Sequence, residues 1–355
     1  MDKEKLIEYV ENSFLASLTS DKDITDISYN GADIYYVSNS VGRQKSDIHV
    51  DQKTVRDFLR QISNLAEQQF SFTNPNLDVS FGLYRINATH QSIGKLNDND
   101  VCTFSIRIAS EKLKIDDKSD FLTPEIVELL NYIISARLSI VIGGLTGSGK
   151  TELQKYIISK MRKNERVIVI DNVMELDHLR KYIDIDLTCW KVDEKNVESS
   201  APILIKNALR NNPDWLILAE ARDKEMLYVL NSSMTGAPII TTVHSLDAHS
   251  IPSRMARLVL RNEQKLDYNE VLNDIYYHFH FYIYVKKDDS DGVINRYISE
   301  IFYINNEGKY YQLFNRDKSK TRFFKLPDSA IELLKINKEM TLPFKKKFLG
   351  GITNE

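Results

Sequence analysis

Apolar residues recur at helical spacing over Lys3 to Leu18 (Leu6, Ile7, Val10, Phe14, Leu15, Leu18) and again over Val55 to Phe70. Between these stretches the rhythm changes. Thr25 to Tyr29 and Ile34 to Val37 read as two β-runs joined by an Asn30-Gly31 turn. Val79 to Ala88 and Val101 to Ile108 alternate apolar and polar residues, so each reads as a strand. Residues 1–110 therefore form a small α+β domain in expectation. The charged stretch up to Asp120 (111–120) is expected to be a linker. From Phe121 onward the pattern changes again. Thr123-Pro124 is a helix start, followed by Ile126, Leu129, Leu130, Ile133 and Ile134 on one face. Short uninterrupted apolar runs follow at Ile140–Ile142, Val167–Ile170, Trp215–Ala219 and Ile239–Val243, with helix-like segments between them. Strands buried on both faces and alternating with helices imply an α/β fold with a parallel sheet. After about Tyr277 three more strands are expected, His278–Val285, Ile294–Ile304 and Lys309–Phe314, with a turn at Asp289-Ser290-Asp291-Gly292. They read as an antiparallel extension of the sheet, which makes 121–355 one domain. The Lys345-Lys346-Lys347 run between Phe344 and Phe348 reads as a solvated tail.

Composition changes this picture little. The chain has 355 residues, enough for two domains, with 42% hydrophobic and 27% charged residues, which suits an ordinary globular protein. A net charge of −3 gives no global reason to wrap nucleic acid. Cys102 and Cys189 have no partner at zinc-ligand spacing and read as buried reduced thiols. The N-terminus is charged throughout, unlike a secretory signal. No apolar stretch approaches the ~20 residues that span a bilayer. The expectation is a cytoplasmic protein without a transmembrane segment, touching the membrane only peripherally and through partners.

Chemistry enters at Gly144-Leu145-Thr146-Gly147-Ser148-Gly149-Lys150-Thr151, which fits G-x-x-x-x-G-K-[ST] at every fixed position. Glycines at 144, 147 and 149 let backbone N–H groups turn inward around phosphates. The helix that follows directs its positive end at the same charge. Lys150 can reach the β- and γ-phosphates, and the Thr151 hydroxyl is a hard ligand for magnesium. The apolar run before the loop and the helical pattern after it (Leu153, Tyr156, Ile157, Met161) supply the strand–loop–helix context the motif requires. The expected ligands are ATP and Mg2+.

Hydrolysis also needs a positioned water. Trp215 to Ala219 runs into Glu220, which places a carboxylate at the C-terminal end of a buried strand, where ligands collect in parallel sheets. Glu220 is the first candidate for the catalytic acid and the second magnesium contact. Asp171, with Glu175 just beyond it, ends another such strand and is a candidate base or outer magnesium ligand, the alternative being a helix cap. His244 ends a third, where it can sense the γ-phosphate or bond the catalytic acid.

In this order the motifs resemble the secretion ATPases of the type II and type IV systems, the traffic ATPases, and within them the type IV secretion and conjugation branch. Thr25 to Gly31 resembles the family's N-terminal signature. Gly143 to Thr151 resembles its phosphate loop, and Ile170 to Leu176 stands in the place of its Asp box. Leu209-Arg210 with Pro213 to Arg222 resembles its Walker B region. Thr242 to His244 resembles its His box, and Arg254 suits the arginine that follows. The resemblance implies a RecA-like P-loop core with a smaller N-terminal α+β domain, assembled as a homo-hexameric ring. Nucleotide-driven domain closure would work on inner-membrane components of a secretion or pilus system, with no direct nucleic-acid partner. It also implies that Arg85 and Arg107 are the N-terminal arginines that approach the phosphates, and it adds Arg222 to the catalytic set. Three positions depart from the family's form. Asp171-Asn172 replaces Glu-Asp, Ala219 replaces a glycine, and the segment from Thr235 to His244 is one residue short. Slow or partner-stimulated hydrolysis is the expectation from these. A pilus or competence-fibre assembly ATPase, a DNA translocase and a non-hydrolysing ATP-gated scaffold share the motifs and stay open as alternatives.

Overall fold

The structure is a computed structural model that describes residues 2–110, 113–193, 196–263, 265–289, 293–336 and 340–350. It divides into two units. Unit 1 is Met1–Glu111 with Asp289–Asn295, and unit 2 is Lys112–Asp288 with Arg296–Glu355.

Unit 1 begins with α1 (Lys3–Glu11), capped by the Asp2 carboxylate, and restarts as the short α2 (Ala16–Thr19). The single helix expected over Lys3 to Leu18 is split. The Ser13 hydroxyl donates to the Val10 carbonyl and accepts from Leu15 N–H, which gives the backbone a local alternative to the helical ladder. The strands are β1 (Ile24–Tyr29), β2 (Ile34–Ser38) and β3 (Gly42–Lys45), then, after α3 (Gln52–Leu65), β4 (Asn76–Phe81), β5 (Tyr84–Thr89), β6 (Lys95–Leu96), β7 (Asn99–Asp100) and β8 (Thr103–Ile108). The six-stranded sheet has the order β3-β2-β1-β8-β5-β4, while β6 and β7 pair alone. The run Val79 to Ala88 is a hairpin rather than one strand. Gly82 takes φ 51, a left-handed conformation suited to glycine, and β4 folds back on β5 with Phe81 opposite Tyr84. Helices and sheet share one core, in which Leu6, Val10, Val55, Phe58, Leu59 and Ile62 meet Ile27, Ile86, Phe104 and Ile106.

Unit 2 opens with α4 (Pro124–Ser135), capped by Thr123. Then come β9 (Ile140–Gly143), α5 (Lys150–Ser159), β10 (Arg166–Asp171), β11 (Asp186–Lys191), α6 (Ala201–Arg210), β12 (Trp215–Leu218), α7 (Asp223–Ser233) and β13 (Ile239–Val243). The rest is α8 (Ile251–Asn262), α9 (Tyr268–His278), β14 (Phe281–Asp288), β15 (Asn295–Ile304), β16 (Tyr310–Asp317), β17 (Lys320–Phe323) and α10 (Asp328–Leu333). Nine strands form one sheet in the order β11-β10-β12-β13-β9-β14-β15-β16-β17. The first five in that order are parallel, each buried run having become a strand with both faces covered. One core holds α4 and α5 residues such as Ile126, Leu130, Leu153 and Ile157. The other holds α6 to α9 residues such as Ile205, Met226, Met255 and Ile275.

Two expectations need correction. The C-terminal extension is not antiparallel throughout: β14 lies parallel to β9, while the antiparallel pairing beyond it includes β15 with β16 and β16 with β17. The reason is the helical connection of α8 and α9, which returns the chain between β13 and β14, as a parallel crossover requires. The basic tail is docked rather than solvated. Phe344 and Phe348 are fully buried, and Lys347 pairs with Glu125 while covering the Phe323 ring. The turn expected at Asp289 to Gly292 falls on 290–292, outside the described residues. Among the described residues no helix is long and apolar enough to cross a membrane.

Candidate functional site

Four parallel strands of unit 2 end on one edge of the sheet, and the candidate residues follow them. The phosphate loop leaves β9, His244 leaves β13, Glu220 lies two residues past β12, and Asp171 ends β10. Adjacent strands lie ~4.8 Å apart, so His244 starts about 5 Å from the loop's strand, Glu220 about 10 Å and Asp171 about 14 Å. Side-chain reach then decides which of them meet.

The loop runs from Gly144 to Gly149, and α5 begins at Lys150. Gly147 and Gly149 have φ 73 and 104, left-handed values that side chains disfavour. At Gly143 a Cβ would fall 2.2 Å from Ser245 Oγ, and at Gly144 one would fall 2.5 Å from Ser148 Oγ and 2.6 Å from the Val285 carbonyl. These two glycines therefore let the loop's base press against its neighbours. Leu145, Thr146 and Gly147 are exposed at the loop's rim, whereas Ser148 and Lys150 are buried and Thr151 is half-buried. Lys150 Nζ donates to the carbonyls of Gly144 (2.9 Å) and Leu145 (3.0 Å), and Ser148 N–H also points at the Leu145 carbonyl (3.3 Å). Lysine and amide thus converge inside the loop on its own oxygens, in the manner of donors arranged for an anion. Gln154 ties α5 to the acid's strand by donating to the Leu218 carbonyl (3.3 Å).

Glu220 and His244 meet. His244 Nε2 lies 2.9 Å from Glu220 Oε1, within ion-pair distance but without hydrogen-bond alignment, so Oε1 is a buried oxygen with no hydrogen bond. Arg222 donates to the other oxygen, Oε2, at 2.8 Å. Burial works against the charge on Glu220, yet Arg222, with the charges of His244 and Lys150, holds its carboxyl below the usual carboxylate range. His244 is pushed down by burial and by Lys150, against the attraction of Glu220. At neutral pH the pair is accordingly a carboxylate beside a neutral imidazole. Thr242 supports this arrangement by donating its hydroxyl to the Ala219 carbonyl (2.8 Å). The structure therefore brings together Gly144, Lys150, Glu220, Arg222 and His244.

Asp171 is used differently. Its two oxygens accept the backbone N–H groups of Val173 (3.0 Å) and Glu175 (2.9 Å), and Met174 between them takes φ 62. Burial, with Glu175 nearby, raises its pKa. Such a carboxylate shapes the turn that carries Glu175, and as a base it would have to give up those bonds. The neighbouring Cys189 thiol is pushed up to about 12 by burial and by Asp177 and Asp171, so it is unreactive. Arg85 and Arg107 lie in unit 1, directly opposite each other on β5 and β8, on the face away from the core. Their like charges are balanced on that face by Asp78, which Arg85 binds at 3.1 Å, and by Asp26, opposite Arg107.

Sequence reasoning missed two supports. Ser245 packs under Gly143, and Arg296, near the start of β15, donates from Nε to the Gly147 carbonyl at 2.8 Å. Neither carries a local signal, because each acts through a fold contact distant in sequence.

The residues present fit a magnesium nucleotide. Among the described residues the buried Ser148 Oγ and Glu220 Oε1 have no hydrogen-bond partner, and Lys150 Nζ donates to the loop carbonyls of Gly144 and Leu145. Thr151 and Glu220 offer the hard oxygen donors that magnesium takes.

Comparison with known proteins agrees. Residues 103–272 match the family model described as "Type II/IV secretion system protein". An uncharacterized protein of Bacillus anthracis is 29% identical over 330 residues, covering 87% of this chain and 73% of its own length. The type IV secretion system protein VirB11 of Brucella suis is 28% identical over 215 residues, which is 59% of this chain and 58% of the relative, so less than two thirds of that relative is spanned. The ATPase DotB of Legionella pneumophila shares the fold, with a TM-score of 0.59, 19% identity and coverage of 86% of this chain and 82% of its own. With the match running across the phosphate loop and both strand-end motifs, residues 103–272 are similar to the type II/IV secretion system proteins, and the VirB11 relatives are of the type IV secretion system.

Proposed function

We propose that this chain is the ATP-hydrolysing motor of a type IV secretion or conjugation apparatus. The observation that carries the chemistry is the meeting of Lys150, Glu220, Arg222 and His244 at one end of the parallel sheet. The loop amides and Lys150 bind the phosphates, exchanging Gly144 and Leu145 carbonyls for phosphate oxygens. Thr151 and Glu220 would hold the metal ion, which when bound neutralises charge on the β- and γ-phosphoryl oxygens. Glu220, kept ionised, accepts the proton of an attacking water. Neutral His244 orients that carboxylate and contacts the γ-phosphate. Arg222 fixes the second carboxylate oxygen, so that Oε1 is the oxygen left to take the water's proton.

The mechanical part of the proposal rests on the family. The subunits form a homo-hexameric ring. Arg85 and Arg107 close on the nucleotide, Glu175 assists as outer magnesium ligand, and closure pushes on inner-membrane components from the cytoplasmic side. Asp171-Asn172 supports a slow basal rate raised by such a partner. Phosphate release with Mg2+ tests the chemistry: wild type is expected to turn over, with Lys150→Ala and Glu220→Gln reduced at least ~100-fold. Equal rates in all three would sink it, and turnover stimulated only by single- or double-stranded DNA would favour a translocase instead.

A further inference from the structure

We propose that Arg296 is a positioning residue of the phosphate loop, holding the peptide between Gly147 and Ser148 in the orientation that binds phosphate. The inference deepens the nucleotide-binding reading above and rests on it. In a trans peptide the carbonyl and the next N–H point in opposite directions, and among the described residues there are no cis bonds. Arg296 Nε holds the Gly147 carbonyl at 2.8 Å, so the Ser148 N–H is turned away from the arginine and into the loop. There it points at the Leu145 carbonyl, the oxygen that Lys150 Nζ also engages. One charged side chain outside the loop thus fixes the direction of an amide inside it.

Within the loop, this peptide is held by the Ser148 N–H bond to the Leu145 carbonyl, which is long at 3.3 Å. Gly147 has φ 73, and a Cβ built on it would meet nothing within 4 Å, so the position a side chain would take is open space. Glycine also lacks the steric barrier that would confine an ordinary residue. Gly149, by contrast, is walled by Phe121, 3.2 Å from a Cβ there, with Arg296 Cδ at 3.7 Å. The arginine stem therefore packs on the loop at Gly149 while its head bonds at Gly147. Phe121 is buried and its carbonyl accepts Ile298 N–H, which anchors this wall to the strand that carries Arg296. A rotated Gly147 peptide would point a carbonyl at incoming phosphate, replacing an attraction with a repulsion.

The test is calorimetric titration of Mg-ATP and Mg-ADP into the full chain as wild type, Arg296→Lys, Arg296→Met and Lys150→Ala, with thermal unfolding of each without nucleotide. Arg296→Met keeps the apolar stem and loses the donor. A hydrogen bond from a charged group is worth about one decade of affinity, so roughly tenfold weaker binding of both nucleotides is expected. Arg296→Lys should recover most of it, and the unfolding midpoints of both variants should stay at the wild-type value. Wild-type affinity in Arg296→Met, or equal losses in Arg296→Lys and Arg296→Met with lowered midpoints, would overturn the assignment while wild type still binds and Lys150→Ala does not. Equal binding by wild type and Lys150→Ala, or none by wild type, would instead overturn the nucleotide reading itself.

Discussion

Replacing Gly143 by alanine tests how tightly the base of the phosphate loop is wedged against the strand-end histidine segment. The added Cβ would sit 2.2 Å from Ser245 Oγ and 2.7 and 3.0 Å from Ile251 Cδ1 and Cγ1. Atoms do not approach so closely, and neither neighbour retreats easily, since Ser245 is 7% and Ile251 0% exposed. Overpacking of this kind costs typically 1–3 kcal/mol, which for a unit of this size lowers the unfolding midpoint by roughly 2–12 °C. The push also lands on the residue after His244, so nucleotide affinity should fall as well. Among the described residues Ser245 Oγ has no hydrogen-bond partner in its buried setting, so Ser245→Ala alone should be nearly neutral. The same change combined with Gly143→Ala should return part of the loss, with a coupling energy of about 1 kcal/mol. Thermal unfolding and nucleotide titration of the two single variants and the double variant read this directly. A wild-type midpoint and affinity in Gly143→Ala, or strict additivity in the double variant, would refute the steric argument.

His244 is held below its ordinary 6.5 by burial and Lys150, so hydrolysis should persist down to that pH. It should then fall as the imidazole protonates and ties up Glu220, and a pH–rate profile of His244→Gln should lack that acidic limb. Phe348→Ala should destabilise unit 2 by about 3–5 kcal/mol, because the ring is fully buried between Phe344 and Phe323, 4.8 and 5.4 Å away; a denaturant melt with an unchanged midpoint would contradict a docked tail. Asp117 accepts from Lys160 and from Tyr156, with Lys160 the larger cause of its lowered pKa. Asp117→Asn should cost less than about 1 kcal/mol at neutral pH, since the group is largely solvent-screened. The difference from wild type, present above pH 3.8, should vanish as pH falls through the lowered folded-state value, as melts across pH would show.

Much of the site was legible because its parts are local in sequence. The phosphate loop, Glu220 and His244 each follow a short apolar run, and a run buried on both faces has few alternatives to a central parallel strand. What escaped depends on contacts between distant segments. β11 has no continuous apolar run, since Asp186 and Lys191 at its ends are exposed and it lies on the sheet's edge. The hairpin of β4 and β5 looked like one strand because Phe81 and Tyr84 flank the turn with core residues. The tail looked solvated because three lysines separate Phe344 from Phe348, and helical winding puts the two rings on one side. Asp171 stands at a strand end like Glu220, but its oxygens are committed to backbone amides, which composition cannot reveal. Arg296 carries no motif at all.

The most direct measurement of the central claim is the identity of the nucleotide retained after incubation with Mg-ATP and rapid removal of free ligand. Wild type should retain ADP, Glu220→Gln should retain unhydrolysed ATP at the same occupancy, and Lys150→Ala should retain neither. ADP on Glu220→Gln at the wild-type rate, or full occupancy of Lys150→Ala, would contradict a site built from that loop and that acid.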